Sequence, residues 1–561
     1  LEHIVTDGKG LPVFARIMLY VMLAVIGVWL VSGVAYQYVQ PIFAEKTFKI
    51  HLAHTGDLQG HIQKSPADGG FCLQGKGDPD ACLGGFPRLK LAFDRLTDVH
   101  PDVALLDSGD FFQGSLFYST YKSKALAPFM NMMPYTAVVL GNHEFDDGIP
   151  EIMAFAEYVG FPLLATNIRA EDHHPLKPYL RTHVIKNFDG HNVGFIGLST
   201  PETPKLVSKA IDLEFEDPIK AARREVAVLA RKGVDIVVVV SHLGMAQDQD
   251  LARAVPEIDV ILGGYDDPIS GDGQGTYAQQ AYPLPVHVNG KSQSTLLAYA
   301  PPYGHYLGFL ELEFDTHQAL IGWEGQLIAM NKDVPSFEAF ARMVHTLARP
   351  LENVHEIMMG TVQHTAANRN CRKEFCSEGR MVADAMLATF SPQGADIALF
   401  NGGGLRHTVE AGPIFQADLK ALLPFGDQIS TFDLTGKQIR ETLEQALIGG
   451  GRFPHIAGLR VAWSVPVAKA PHAVIDTLDV LQEGRWQPVK DTATYTLATN
   501  SFLRKGGDGY SHFKKSASNV QDTSIKVLDV VLSYVRSRLV LDLGDDGRLQ
   551  HKTTGHTGAQ P

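Results

Sequence analysis

Five short apolar runs in this chain each end on polar residues able to bind a divalent cation, and no other feature narrows the fold as much. They are Phe48 to Thr55 leading to Gly56-Asp57, Val103 to Leu106 leading to Asp107-Ser108-Gly109-Asp110, and Val138 to Leu140 leading to Gly141-Asn142-His143-Glu144-Phe145-Asp146. Two more follow: Asp235 to Val240 leading to Ser241-His242, and Asp259 to Leu262 leading to Gly263-Gly264-Tyr265-Asp266-Asp267. A parallel strand buried on both faces reads as an unbroken apolar run, and open α/β sheets bind ligands beyond the carboxyl ends of such strands. The polar residues are therefore expected to converge on one rim, where the neighbouring glycines let backbone approach closely.

At 561 residues the chain is too long for a single hydrophobic core, so two folded units are expected. Between Lys46 and about Asp333 strands alternate with helical stretches such as Asp217 to Lys232, the pattern of an α/β unit. From Phe337 to Leu347 the apolar positions recur at helical spacing, and the segment reads as an interdomain helix. Beyond it, Ile397 to Phe400 reads as a buried strand entering a glycine turn. Thr435-Gly436-Lys437-Gln438 matches a capping box ahead of a helix carrying Ile439, Leu443 and Leu447. The expected organisation is a tail and membrane segment over 1–46, a first domain over 47–333, a linking helix over 334–357, a second mixed α/β domain over 358–541 and a polar tail over 542–561. A net charge of −13 argues against a nucleic-acid polymer as partner, because such binding rests on clustered Lys and Arg.

Ile17 to Tyr36 is almost wholly apolar, and no charged residue falls between Ile17 and Ala44. That length suffices to cross a bilayer. The segment reads as an uncleaved signal-anchor, with a cleaved signal peptide as the competing reading. Lys9 and Arg16 precede it, so the bulk of the chain is expected on the exported, periplasmic or extracellular side, attached to the membrane by this one helix. The carboxyl tail lacks the hydrophobic stretch of a lipid-anchor signal.

Taken together the metal-type motifs resemble the 5'-nucleotidase family of calcineurin-like metallophosphoesterases. The likeness continues through Tyr306-Leu307-Gly308, Asn401-Gly402-Gly403-Gly404-Leu405-Arg406, Leu423-Pro424-Phe425-Gly426 and Phe502-Leu503-Arg504-Lys505-Gly506-Gly507-Asp508-Gly509, in the family's order from about residue 47 to about 515. The resemblance implies a four-layer αββα metallophosphoesterase sandwich followed by a mixed α/β substrate domain, here preceded by one transmembrane helix. It implies two divalent cations (Mn²⁺, Mg²⁺ or Zn²⁺) and hydrolysis of nucleotide phosphoesters, with UDP-sugars as related substrates. By residue, it implies Asp110 bridging both ions, Asp57 at the first, Asn142 and His242 at the second, and His143 facing the phosphoryl group with Asp146 holding its imidazole. Phe425 and Phe502 match the aromatic pair that sandwiches the base. Arg372 and Arg406 match contacts to phosphate or ribose, and Asn401 and Asp508 contacts to base and ribose. Cys72, Cys82, Cys371 and Cys376 match family cysteines, so two local disulfides are expected in an exported chain.

This chain departs from the family at two ligands. The family's Asp-x-His reads Asp57-Leu58-Gln59, and its Gly-His-x-(His/Asn/Gln) reads Gly264-Tyr265-Asp266-Asp267. Gln59, Asp267 and, less readily, Tyr265 would then supply oxygens, a donor set that suits Mn²⁺ or Mg²⁺ better than Zn²⁺. Two other readings stay open on the sequence: a nucleotide-binding protein whose metal site has degenerated, and a hydrolase of the same fold acting on cyclic nucleotides or sulfur compounds. The sequence does not give an oligomeric state.

Overall fold

The apolar runs fold as strands, but they divide between two sheets. The computed structural model describes residues 47–552 apart from 67–68, 70–71, 73–81, 208, 210, 265–281, 288–293, 367–369 and 466–471. Tyr265, Asp267 and the expected membrane segment therefore lie outside the described residues. Among the described residues no helix is long and apolar enough to cross a membrane.

By packing, residues 47–49 with Glu313–Gly322 separate as a small unit from the other described residues, and within it Phe48 stacks on Phe314 with ring centroids 5.6 Å apart. The large unit, Ile50–Leu312 with the chain from Trp323 on, carries every candidate site residue among the described residues. One sheet runs in the order Leu320–Ala329, Tyr306–Phe314, Phe48–Thr55, Ala104–Asp107, Tyr135–Val139, Leu163–Leu164, Leu180–Arg181. The other runs Leu284–His287, Ser294–Tyr299, Val260–Gly263, Ile236–His242, His191–Ser199, His183–Phe188. In the first, parallel pairing sets Thr55 level with Asp107 and Asp107 level with Val138; in the second it sets Ser241 level with Gly263. Within each sheet the loops that follow these strands thus leave at matched heights. The sheets pack face to face so closely that a Cβ on Gly197 would lie 2.3 Å from the Cβ of Leu164.

Residues 357–552 form a second body around a mixed sheet ordered Pro454–Ala457, Ile397–Asn401, Thr494–Asn500, Gln428–Thr435, Ser518–Lys526. The chain is thus a two-domain α/β protein. The helix expected over 334–357 runs Glu338–Glu356 and buries Phe340, Val344 and Leu351 in the core of the first domain. The capping box at Thr435 forms as expected: its hydroxyl accepts from Gln438 N at 3.3 Å while Gln438 Oε1 accepts from Thr435 N at 2.9 Å. Asp217 caps the helix Pro218–Arg231.

One boundary needs correction. The segment from 542, read as a polar tail, is folded as far as Lys552: Val540–Leu543 pairs in parallel with Met358–Thr365, and Leu549–His551 pairs with Leu459–Ser464. Its polar composition hid this, because the few buried side chains, Leu541, Leu543 and Leu549, gain their partners from distant strands. Arg548 adds ion pairs to Asp384 and Asp546, both at 2.6 Å.

Candidate active site

Where the two sheets meet, their carboxyl-end loops are tied to one another. Ser108 Oγ donates to Gly263 O at 3.1 Å, and Ser199 Oγ donates to Leu140 O. Asp107, at the end of its strand, accepts from Thr55 Oγ1 at 2.6 Å and from Gly109 N at 3.0 Å; burial raises its pKa to about 6. These bonds fix the turn that presents Asp110.

On that turn and its neighbours, Asp57, Asp110 and His242 are all buried, with ligand atoms within 4.8 Å of one another. Asp57, Gln59 and Asp110 hold φ of 49°, 44° and 53°. Left-handed backbone at non-glycine residues costs about 1 kcal/mol or more per residue and persists where surrounding structure enforces it, commonly at functional sites. Asp110 Oδ1 accepts from His143 N at 2.8 Å, while Oδ2 lies 3.1 Å from His242 Nε2. His242 Nδ1 donates to Ser108 O at 2.7 Å, which turns Nε2 toward the carboxylates, as the backbone partner of a metal-bound histidine does. Burial works against a charged imidazole here, yet Asp110 raises the His242 pKa to about 10. A cation bound at Nε2 must therefore release that proton. Asn142 Oδ1 is buried and finds no hydrogen-bond partner among the described residues. A buried amide oxygen beside a cluster of two carboxylates and an imidazole is the donor a divalent cation would satisfy, so the residues present fit such ions.

His143 lies beside this cluster. It begins the one-turn helix His143–Phe145, its Nδ1 is 2.6 Å from Asp146 Oδ2, and its Nε2 is 3.8 Å from Asp110 Oδ2. Burial raises the Asp146 pKa, and the His143 imidazole offsets part of that shift.

Glu144 had no role assigned from the sequence. Its fully buried carboxylate accepts from Gly141 N at 2.6 Å, Asp110 N at 2.9 Å and Phe112 N at 2.9 Å, and so clamps the two ligand loops together. Burial and the nearby Asp110 push its pKa well up, a cost that the three amides offset. Gly141 has to be small, since a Cβ there would lie 2.2 Å from Asp110 Oδ1.

The second domain brings its residues to the same place. Gln59, expected to face a metal, directs Oε1 to Arg406 Nη2 at 2.8 Å. The Arg406 guanidinium also lies 5.6 Å over the Phe425 ring, and that ring stacks on His143 at 5.7 Å and 22°. Phe425 therefore sits between Arg406 and His143. Burial, and then the charge of Arg372, lower the Arg406 pKa. Asn401 Nδ2 donates to Asp508 Oδ2 at 2.7 Å, and Asn500 Nδ2 donates to Asn401 Oδ1 at 3.1 Å. Phe502 covers Gly507, where a Cβ would meet its ring at 2.5 Å.

Both expected disulfides are formed, Cys72–Cys82 and Cys371–Cys376, with Cα–Cα distances of 6.2 and 5.1 Å. The second closes the loop carrying Arg372. That loop packs on the end of the Asn401 strand so tightly that a Cβ on Gly402 would lie 1.9 Å from Cys371 O.

The family model for calcineurin-like phosphoesterases matches residues 50–264, and that for the 5'-nucleotidase C-terminal domain matches 358–515. A 5'-nucleotidase of Diplobatis ommata is 29% identical over 527 residues, covering 90% of this chain and 90% of that protein. The 5'-nucleotidase of Homo sapiens is 28% identical over 91% of this chain and 92% of its own. Among solved structures, a 5'-nucleotidase precursor from Thermus thermophilus superposes with a TM-score of 0.81 at 29% identity, over 90% of this chain and 99% of that one.

Proposed function

Because the chain belongs to the 5'-nucleotidase family of calcineurin-like phosphoesterases, we propose that it is a metal-dependent hydrolase of nucleotide phosphoesters, removing the 5'-phosphate of nucleoside monophosphates. The observation that carries the reading is the convergence of Asp57, Asp110 and His242, with Asn142 on the adjoining turn, beside His143, and with Arg406 and Phe425 of the second domain at the same rim. In this reading those four residues, with Tyr265 and Asp267 outside the described residues, hold two divalent ions. Bound there, the ions would neutralise phosphoryl charge and lower the pKa of the attacking water.

The chain's own groups do the rest. Asp146 accepts from Nδ1 and so orients the His143 ring, whose doubly protonated form has a second N–H at Nε2 to donate to a phosphoryl oxygen whose charge grows in the transition state. Arg406 and Arg372 offer guanidinium forks to phosphate or ribose oxygens, and Asn401 with Asp508 presents a polar edge to the base or ribose. Phe425 and Phe502 supply flat faces for the base. The two disulfides fit an oxidising compartment and support an exported setting on the outer side of a membrane.

The test of the base site is a pair of substitutions. Phe502→Ala is expected to weaken nucleotide binding by about 1 to 3 kcal/mol, roughly tenfold or more, and to leave hydrolysis of a small artificial phosphoester nearly unchanged. Phe425→Ala should show the same nucleotide loss plus a smaller effect on the artificial substrate, because its ring also rests on His143. Equal losses on both substrates for Phe502→Ala would make that ring purely structural.

Gln59 separates the metal from the substrate side. If its oxygen serves the first metal as well as Arg406, Gln59→His tightens metal binding and raises turnover at limiting metal, and the wild type prefers Mn²⁺ or Mg²⁺ to Zn²⁺. A metal dependence identical in wild type and Gln59→His would show that the residue serves Arg406 alone. The enzyme reading itself fails if neither protein hydrolyses any nucleotide with any divalent ion.

A further inference from the structure

Away from the catalytic rim, we propose that the large unit carries a second metal site, a Zn²⁺-type site built from His51, His100 and Glu311 with Asp102 behind it. His51 lies near the amino end of its strand, six residues before Asp57 and so about 20 Å of extended chain from the catalytic ligands. The strand Tyr306–Phe314 on one side brings Glu311, and the loop entering Ala104–Asp107 on the other brings His100 and Asp102. The sheet order itself therefore assembles the four residues.

Their geometry is that of a ligand set. One donor atom each from His51, His100 and Glu311 falls within 4.8 Å of the others. His51 Nε2 is 3.2 Å from Glu311 Oε2, about the 3.3 Å that separates two ligands held at 2.0 to 2.1 Å from one tetrahedral cation. Its other nitrogen, Nδ1, faces Asp102 Oδ1 at 3.4 Å. A neutral imidazole has one N–H and can donate to only one of two carboxylates. A cation at Nε2 with the proton at Nδ1 satisfies both, and this is the carboxylate–histidine–metal arrangement. His100 packs its ring 3.9 Å from that of His51, and both imidazoles lie against Phe309, at 5.3 and 6.1 Å, an apolar wall on one side of the donors. The His51 side chain is only 12% exposed, so the site is sheltered yet open to entry through Glu311 at 23% and Asp102 at 37%. Two imidazoles and a carboxylate, with a water as fourth ligand, favour Zn²⁺ over Mg²⁺ or Ca²⁺.

The test uses the full chain stripped with chelator and dialysed against Zn²⁺ alone. Wild type is expected to hold one more zinc per chain than either His51→Gln or Glu311→Gln. Asp102→Asn is expected to keep the site and weaken it about 10- to 100-fold. None of these residues belongs to the catalytic rim, so hydrolysis with excess Mn²⁺ should match wild type. Equal zinc content in wild type and both ligand variants overturns the proposal. Should a variant fail to fold, the wild type decides alone. Saturating Zn²⁺ is then expected to protect His51 and His100 from diethyl pyrocarbonate, read by peptide mass spectrometry, and equal modification with and without zinc overturns it.

Discussion

His143→Ala is expected to lower kcat about 10²- to 10³-fold while leaving the metal content of the protein unchanged. The size follows from the role: a single preorganised donor to a phosphoryl oxygen acts only where transition-state charge develops, so its loss falls on kcat and barely on KM. Metal content should hold, because the ring is tied to Asp146 while its backbone N–H, which any residue but proline retains, is what touches Asp110. Asp146→Asn, with His143 in place, should retain part of the activity, since an amide oxygen can still accept from Nδ1. The measurements are steady-state kinetics and elemental analysis on the same preparations. A fall in bound metal that tracks the fall in kcat would make His143 a ligand and remove it from the phosphoryl side.

Glu144→Ala is expected to cost about 3 kcal/mol or more of stability and to abolish tight metal binding. The carboxylate satisfies three buried backbone N–H groups, and each left unpaired costs about 1–3 kcal/mol. Relief of repulsion with Asp110 offsets part of this, which is why the lower end of the range is the expected net value. The activity loss is separate: without Glu144, its three-way link between the turn of Asp110 and the turn of Gly141-Asn142 is gone. Glu144→Gln should fall between, because one amide oxygen can serve two donors while its NH₂ opposes the third. Urea unfolding of the metal-free protein checks the first effect and metal titration the second. An unchanged unfolding midpoint in Glu144→Ala would show that the two loops hold their form without it.

The strands and the polar residues at their ends were legible because each rests on local order. An apolar run of four to eight residues declares a buried strand, and a polar residue at its last position or a few residues beyond must sit at the strand's carboxyl end, as Asp110, Asn142 and His242 do. The capping box at Thr435 and the two cysteine pairs are local in the same sense. The division of the five runs between two sheets was not legible from periodicity, since a strand buried between sheets reads like one buried under helices. The folded segment after 542 escaped for a similar reason, its partners being strands far away in sequence.

By itself, then, the sequence determined the fold class, the family and the list of candidate ligands, because those depend on residue type and short spacing. Tertiary structure alone decided how those candidates are held and aimed. His242 takes its orientation from the carbonyl of Ser108, 134 residues earlier, and Gln59 is turned to Arg406, 347 residues later. Glu144 became a clamp only when two loops brought three amides to it. A side chain's neighbours along the chain fix which face of an element it occupies. The partner that satisfies its polar atoms comes from whichever distant element packs against that face, and burial makes the choice binding by removing water as the alternative.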